Sequence, residues 1–121
     1  MIIVDTSVWA DHFRARDAEL VETISSGRIL QHPYVTGELV LGNPPDRQTM
    51  IAVLGSFPQI VPQVFDSFIE FAERLSLGGT GIGFVDANLL ASAVASKAQV
   101  WTRDKRLAAQ AERLGLGFTP A

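Results

Sequence analysis

Apolar positions along this chain fall into two periods, and their alternation sketches a fold. Ile2-Ile3-Val4 is an unbroken β-branched run, the pattern of a strand buried on both faces. Val8, Trp9 and Phe13 recur at helical spacing within Ser7–Arg14, and Leu20, Val21 and Ile24 do so within Asp17–Ser26, which Gly27 ends. Arg28–Gln31 reads as a second strand, broken at His32-Pro33 because a residue before proline is biased away from helix. Tyr34–Gly42 predicts a helix carrying Val35, Leu39 and Val40, and Asn43–Asp46 a turn whose Asp46 caps a helix over Arg47–Gly55. Phe57–Val61 reads as a third, short strand flanked by prolines. Gln63–Leu77 is the most apolar helix, with Val64, Phe65, Phe68, Ile69, Ala72 and Leu75 on a broad face. After the Gly78–Gly83 loop, Asp86 starts a helix whose body, Ala87–Lys97, has almost no charge and should be packed on several sides. Gln99–Thr102 predicts a fourth strand, Lys105–Leu114 a helix capped by Gly115, and Leu116–Thr119 a final short strand.

Strands alternating with helices through short connections predict one α/β domain over residues 1–121. The expected form is a three-layer α/β/α arrangement around a mainly parallel sheet of four to five strands. A hydrophobic content of 47% excludes a disordered chain. No apolar run approaches the ~18 residues that span a bilayer. Asp5 interrupts the only N-terminal apolar segment, so a cytoplasmic location is expected. Without cysteine, a metal site must use oxygen or histidine. His12 and His32 are too few and too scattered for a histidine site. The Gly79–Gly83 run follows a helix and lacks the Gly-Lys-Ser/Thr ending of a phosphate-binding loop. Trp9 and Phe13 read as core or subunit contact.

Four acids stand beside apolar runs: Asp5, Glu38, Asp86 and Asp104. In open α/β sheets ligand sites lie beyond the carboxyl ends of the strands. Asp5 follows the first strand and Asp104 the fourth. Asp86 at a helix head and Glu38 within another helix are placed to reach the same crevice. Each has a plainer reading, as a helix cap for Asp5, Asp86 or Asp104 and as a solvated helix residue for Glu38. Together they predict a four-carboxylate site. Carboxylates ~4 Å apart repel by about 4 kcal/mol at an effective dielectric of 20, so the cluster needs cations. All-oxygen donors favour Mg²⁺ or Mn²⁺, one ion or two. The remaining acids, among them Asp11, Asp17 and Asp46, read as solvated or as turn residues. The net charge of −3 argues only weakly against a polyanionic substrate: with the four set aside, nine acids face ten Lys and Arg.

The order Ile3-Val4-Asp5-Thr6-Ser7-Val8-Trp9, Gly37-Glu38-Leu39-Val40, Val85-Asp86-Ala87-Asn88-Leu89-Leu90-Ala91-Ser92-Ala93 and Trp101-Thr102-Arg103-Asp104-Lys105-Arg106-Leu107 resembles a PIN domain. More specifically, it resembles the VapC toxins of prokaryotic toxin–antitoxin pairs, over nearly the whole chain. The resemblance implies a Mg²⁺- or Mn²⁺-dependent endoribonuclease cutting structured RNA such as tRNA or ribosomal RNA. It further implies a homodimer and a VapB-type antitoxin. By position, Asp5, Glu38, Asp86 and Asp104 become the catalytic and metal-binding quartet. Thr6 and Thr102 match supporting hydroxyls, and Ser7 joins them as a candidate. Arg14, Arg16, Arg103, Lys105 and Arg106 are candidate phosphate contacts. The rival readings are a PIN-fold module that binds RNA or protein without cutting, and a small-molecule phosphohydrolase.

Overall fold

A computed structural model describes residues 1–121. Its centre is a pair of three-residue strands, β1 (Ile2–Val4) and β2 (Gln99–Trp101), parallel and in the register Ile2–Gln99, Ile3–Val100, Val4–Trp101. All three β1 side chains are buried. Successive strand residues point to opposite faces, so both faces of β1 are covered. Burial of each aliphatic side chain contributes about 2 kcal/mol.

Around this pair lie seven helices: α1 (Thr6–Arg14), α2 (Ala18–Ser25), α3 (Pro33–Leu41), α4 (Arg47–Gly55), α5 (Phe65–Arg74), α6 (Phe84–Ser96) and α7 (Lys105–Arg113). α1 packs on α3, α3 on α4 and α5 on α6, while α6 and α7 pack on β2. The uncharged run of α6 is buried from Ala87 to Ala93. Trp9 is fully buried and stacks on Phe13 at 5.7 Å, so this pair belongs to the core rather than to a subunit contact.

The sheet has two strands, not the four to five expected. The segments read as further strands are present, each joined by a single parallel bridge: Ile29 to Ile2, Gln59 to Gln31 and Gly117 to Val100. Gln31 N–H donates to Pro58 O and Ile60 N–H to Gln31 O, but Pro58 has no N–H with which to extend the ladder. Prolines 33 and 62 bound the same segments, and Gly117 is followed closely by Pro120.

Two helices also depart from expectation. α6 begins at Phe84 with Gly83 as its N-cap, so Asp86 lies inside the first turn rather than at the head. α5 is shorter than its apolar pattern, and Phe68 is its one buried residue. Val64, Phe65 and Ile69 face outward, because the apolar stripe is wider than the surface α6 can cover.

Candidate active site

Asp5 stands at the N-cap of α1 but makes no cap bond. The three other cap aspartates, Asp17, Asp46 and Asp104, all accept from a backbone N–H of the first turn. The Asp5 carboxylate is instead held from the side: Oδ2 accepts from Ser7 Oγ at 2.9 Å and from Thr102 Oγ1 at 2.6 Å. Only 5% of the residue is exposed, and these bonds offset much of the cost of its burial. Ser7 in turn accepts from Arg103 N–H at 3.0 Å, and Thr102 from Asp104 N–H at 3.0 Å. Asp5 and the segment after β2 therefore form one hydrogen-bonded unit.

Glu38, on the exposed side of α3, accepts from Thr6 Oγ1 at 2.6 Å, which ties α3 to the first residue of α1. Asp104 caps α7 through Oδ1, with Leu107 N–H donating at 2.9 Å. Asp86 is half-buried, and its carboxyl is pushed up from 3.8 to about 6. Burial is the largest cause, followed by the charges of Asp5 and Asp104. The backbone of Gly83 offsets part of this, and Glu38 adds the smallest push. The charges of Asp5, Asp104 and Glu38 thus all reach Asp86 in the crevice beyond the carboxyl ends of β1 and β2.

The crevice is not a closed cage. No three of the acids stand close enough together to hold an ion as they are. The donor chemistry nevertheless fits a hard divalent cation. Asp5 Oδ1, Glu38 Oε2 and Asp104 Oδ2 accept no hydrogen bond, so each acid keeps an oxygen to offer.

The cationic residues sort unequally. Arg103 donates to Asp11 at 2.7 Å and to Asp17 at 2.5 Å, and Arg14 to Asp11 at 2.7 Å. Asp11 and Asp17 are therefore not simply solvated: they compensate Arg103 and anchor the Asp104 segment to α1 and the head of α2. The Arg103 guanidinium, with the Leu20 N–H, holds the Asp17 carboxyl below its usual range. Arg106 reaches across the glycine loop toward Gly81 O at 3.4 Å. Arg16 and Lys105 carry no ion pair. An apolar groove of about 300 Å³ adjoins Glu38, lined also by Thr6, Ala10, Phe13, Pro44 and Met50 among others. Neither the Arg103 anchor nor this groove was foreseen, since both depend on contacts between residues far apart in sequence.

Helices packed around a short parallel sheet in this manner recur in solved structures. The crystal structure of FitAcB from Neisseria gonorrhoeae matches 93% of this chain and 94% of its own at a TM-score of 0.63 and 19% identity. PAE2754 from Pyrobaculum aerophilum matches 93% of this chain and 85% of its own at 0.61 and 20%. At such identities the likeness is one of fold. No family model matches the chain. Ribonuclease VapC32 of Mycobacterium tuberculosis, in strains CDC 1551 / Oshkosh and ATCC 25618 / H37Rv, is 43% identical over 119 residues, which cover 98% of this chain and 96% of that protein. The chain belongs to the VapC family of PIN-domain toxins, as its motifs implied.

Proposed function

We propose that this protein is a divalent-metal-dependent endoribonuclease, the toxin of a toxin–antitoxin pair, acting on structured RNA such as tRNA or ribosomal RNA. The observation that carries the reading is the Asp5 carboxylate. It stands at a helix cap without capping, is fixed by two hydroxyls, and together with Asp104 and Glu38 raises the neighbouring Asp86. Asp5, Glu38, Asp86 and Asp104 would hold Mg²⁺ or Mn²⁺, as one ion or two. When bound, the metal supplies an acidified water and charge neutralisation at a phosphodiester. Thr6, Ser7 and Thr102 fix the directions of Glu38 and Asp5. Lys105, Arg16 and Arg106 are the cations freest to meet RNA phosphates, whereas Arg103 and Arg14 would first have to leave Asp11 and Asp17.

Two protein partners complete the reading. A VapB-type antitoxin that silences the crevice must lie across it, and the apolar groove beside Glu38 gives it footing. A second copy of the chain would cover the outward-facing Val64, Phe65, Ile69 and Phe84.

Cleavage of total tRNA and ribosomal RNA with Mn²⁺ tests the reading, repeated with EDTA and with Asp5→Asn and Asp86→Asn. Each substitution should lower cutting by at least about a hundredfold, several kcal/mol of lost transition-state stabilisation. Unchanged cutting in both variants would place the chemistry elsewhere. RNA retained without cutting by the wild-type protein would favour a binding module, a role suited to a crevice whose acids do not close. Turnover of p-nitrophenyl phosphate with RNA intact would favour a phosphohydrolase.

A further inference from the structure

Glu38 and Asp86 sit on helices that otherwise have little to do with each other. α3 packs chiefly on α1 and α4, and α6 on α5 and β2. One hydrogen bond joins them, at a residue no reading of the acids requires. His32, 1% exposed, is the N-cap of α3, and its Nδ1 accepts from Tyr34 N–H at 3.0 Å. An acceptor Nδ1 is unprotonated, so the neutral ring carries its proton on Nε2. That Nε2 lies 3.1 Å from Ser92 Oγ on α6, in a fully buried contact, and must donate to it. Tyr34 then lies 4.9 Å from the His32 ring and 6.3 Å from Phe84, so a line of rings leads to the head of α6.

The placement is symmetrical along the chain. Glu38 lies six positions after His32 and Asp86 six positions before Ser92, about 9 Å along each helix axis at 1.5 Å per residue. A helix that pivots at the tether swings its acid, and beside the Tyr34–Phe84 ring contact this is the one side-chain hydrogen bond between α3 and α6.

We propose that His32 and Ser92 are positioning residues, a buried tether that sets the separation of Glu38 and Asp86 for divalent-ion binding. This rests on the metal-site reading above. The tether touches neither RNA nor metal; it acts through the helices that carry the two acids.

Two substitutions at one position separate its two bonds. Asn in place of His32 retains a side-chain acceptor for the Tyr34 N–H but is too short for Ser92. Gln reaches Ser92 with its amide while serving the cap poorly. Mn²⁺ affinity is measured by calorimetric titration of the folded proteins, beside kcat and KM for RNA cleavage. His32→Asn and Ser92→Ala should each weaken Mn²⁺ binding about tenfold and lower kcat with KM for RNA nearly unchanged. His32→Gln should restore most of both, and the double variant His32→Asn/Ser92→Ala should be no worse than His32→Asn alone. A fall in melting temperature with Mn²⁺ affinity and kcat unmoved, or equal losses in the Asn and Gln variants, would overturn the tether and leave the metal site standing. Failure of the wild-type protein to bind Mn²⁺ at all would overturn both.

Discussion

At the scale of single residues, the hydroxyls around Asp5 carry the most specific expectations. Thr102→Ala removes the 2.6 Å bond to Oδ2 and also the acceptor of Asp104 N–H, whereas Ser7→Ala removes the longer bond at 2.9 Å and the acceptor of Arg103 N–H. Groups that orient a ligating carboxylate typically matter by 10–100-fold, so each variant should lose about tenfold in RNA cleavage at fixed Mn²⁺, recovered in part by raising the ion concentration. Loss that no Mn²⁺ concentration relieves would point to a role in chemistry rather than in ligand geometry. Asp86 adds a pH expectation. Because its carboxyl is raised to about 6 in the ion-free protein, a cation must displace a proton below that pH. Apparent Mn²⁺ affinity should therefore climb as pH rises toward 6 and level off above it, with proton release visible in calorimetry in buffers of different ionisation enthalpy. Asp5 and Asp104 were legible in the sequence because each follows a buried strand. His32 was not, because a histidine before a proline says nothing of a serine 60 positions later.

At the scale of elements, two buried or half-buried groups on different helices pull stability in opposite directions with pH. Burial lowers His32 from 6.5 to about 4. The unfolded chain then binds a proton that the folded chain refuses, and stability falls as pH drops through that window. Asp86 is raised from 3.8 to about 6, so the folded chain binds the extra proton and stability rises as pH drops from 6 toward 4. The two contributions have opposite signs and offset each other over this window. Melting temperature of the wild-type protein should thus change little between pH 6 and 4. Asp86→Asn should unmask a steady fall on acidification, and His32→Asn a rise; parallel curves for all three proteins would show that neither group titrates as described. The helices themselves were mostly legible from apolar spacing and caps, down to Asp46 at the head of α4. The outer strands were misread because an apolar run between prolines satisfies the strand pattern while Pro58 withholds the N–H a ladder needs. The stripe of α5 was legible as a broad apolar face, but periodicity reports that a face is apolar, not what covers it.

At the scale of the whole molecule, that uncovered face sets the next expectation. Phe65 is 63% exposed and Phe84 54%, with Phe68 between them at ring separations of 6.3 and 5.1 Å. A charge placed there should leave the fold intact and oppose self-association. If the proposed second copy covers this face, Phe65→Asp should sediment as a monomer where the wild-type protein does not, with helical circular dichroism unchanged. Equal sedimentation of the two would assign the face to another partner. The pairing of β1 with β2 has a consequence of its own for synthesis in the cell. Asp5 is made well before Thr102, which holds it and lies 97 positions later. At about 5–20 residues per second, the growing chain spends seconds on the ribosome with its first strand unpaired and its first acid unsupported. A nascent chain stopped short of Gln99 holds no assembled crevice. Under the proposed function, the chain would be unable to cut RNA until its synthesis is nearly done.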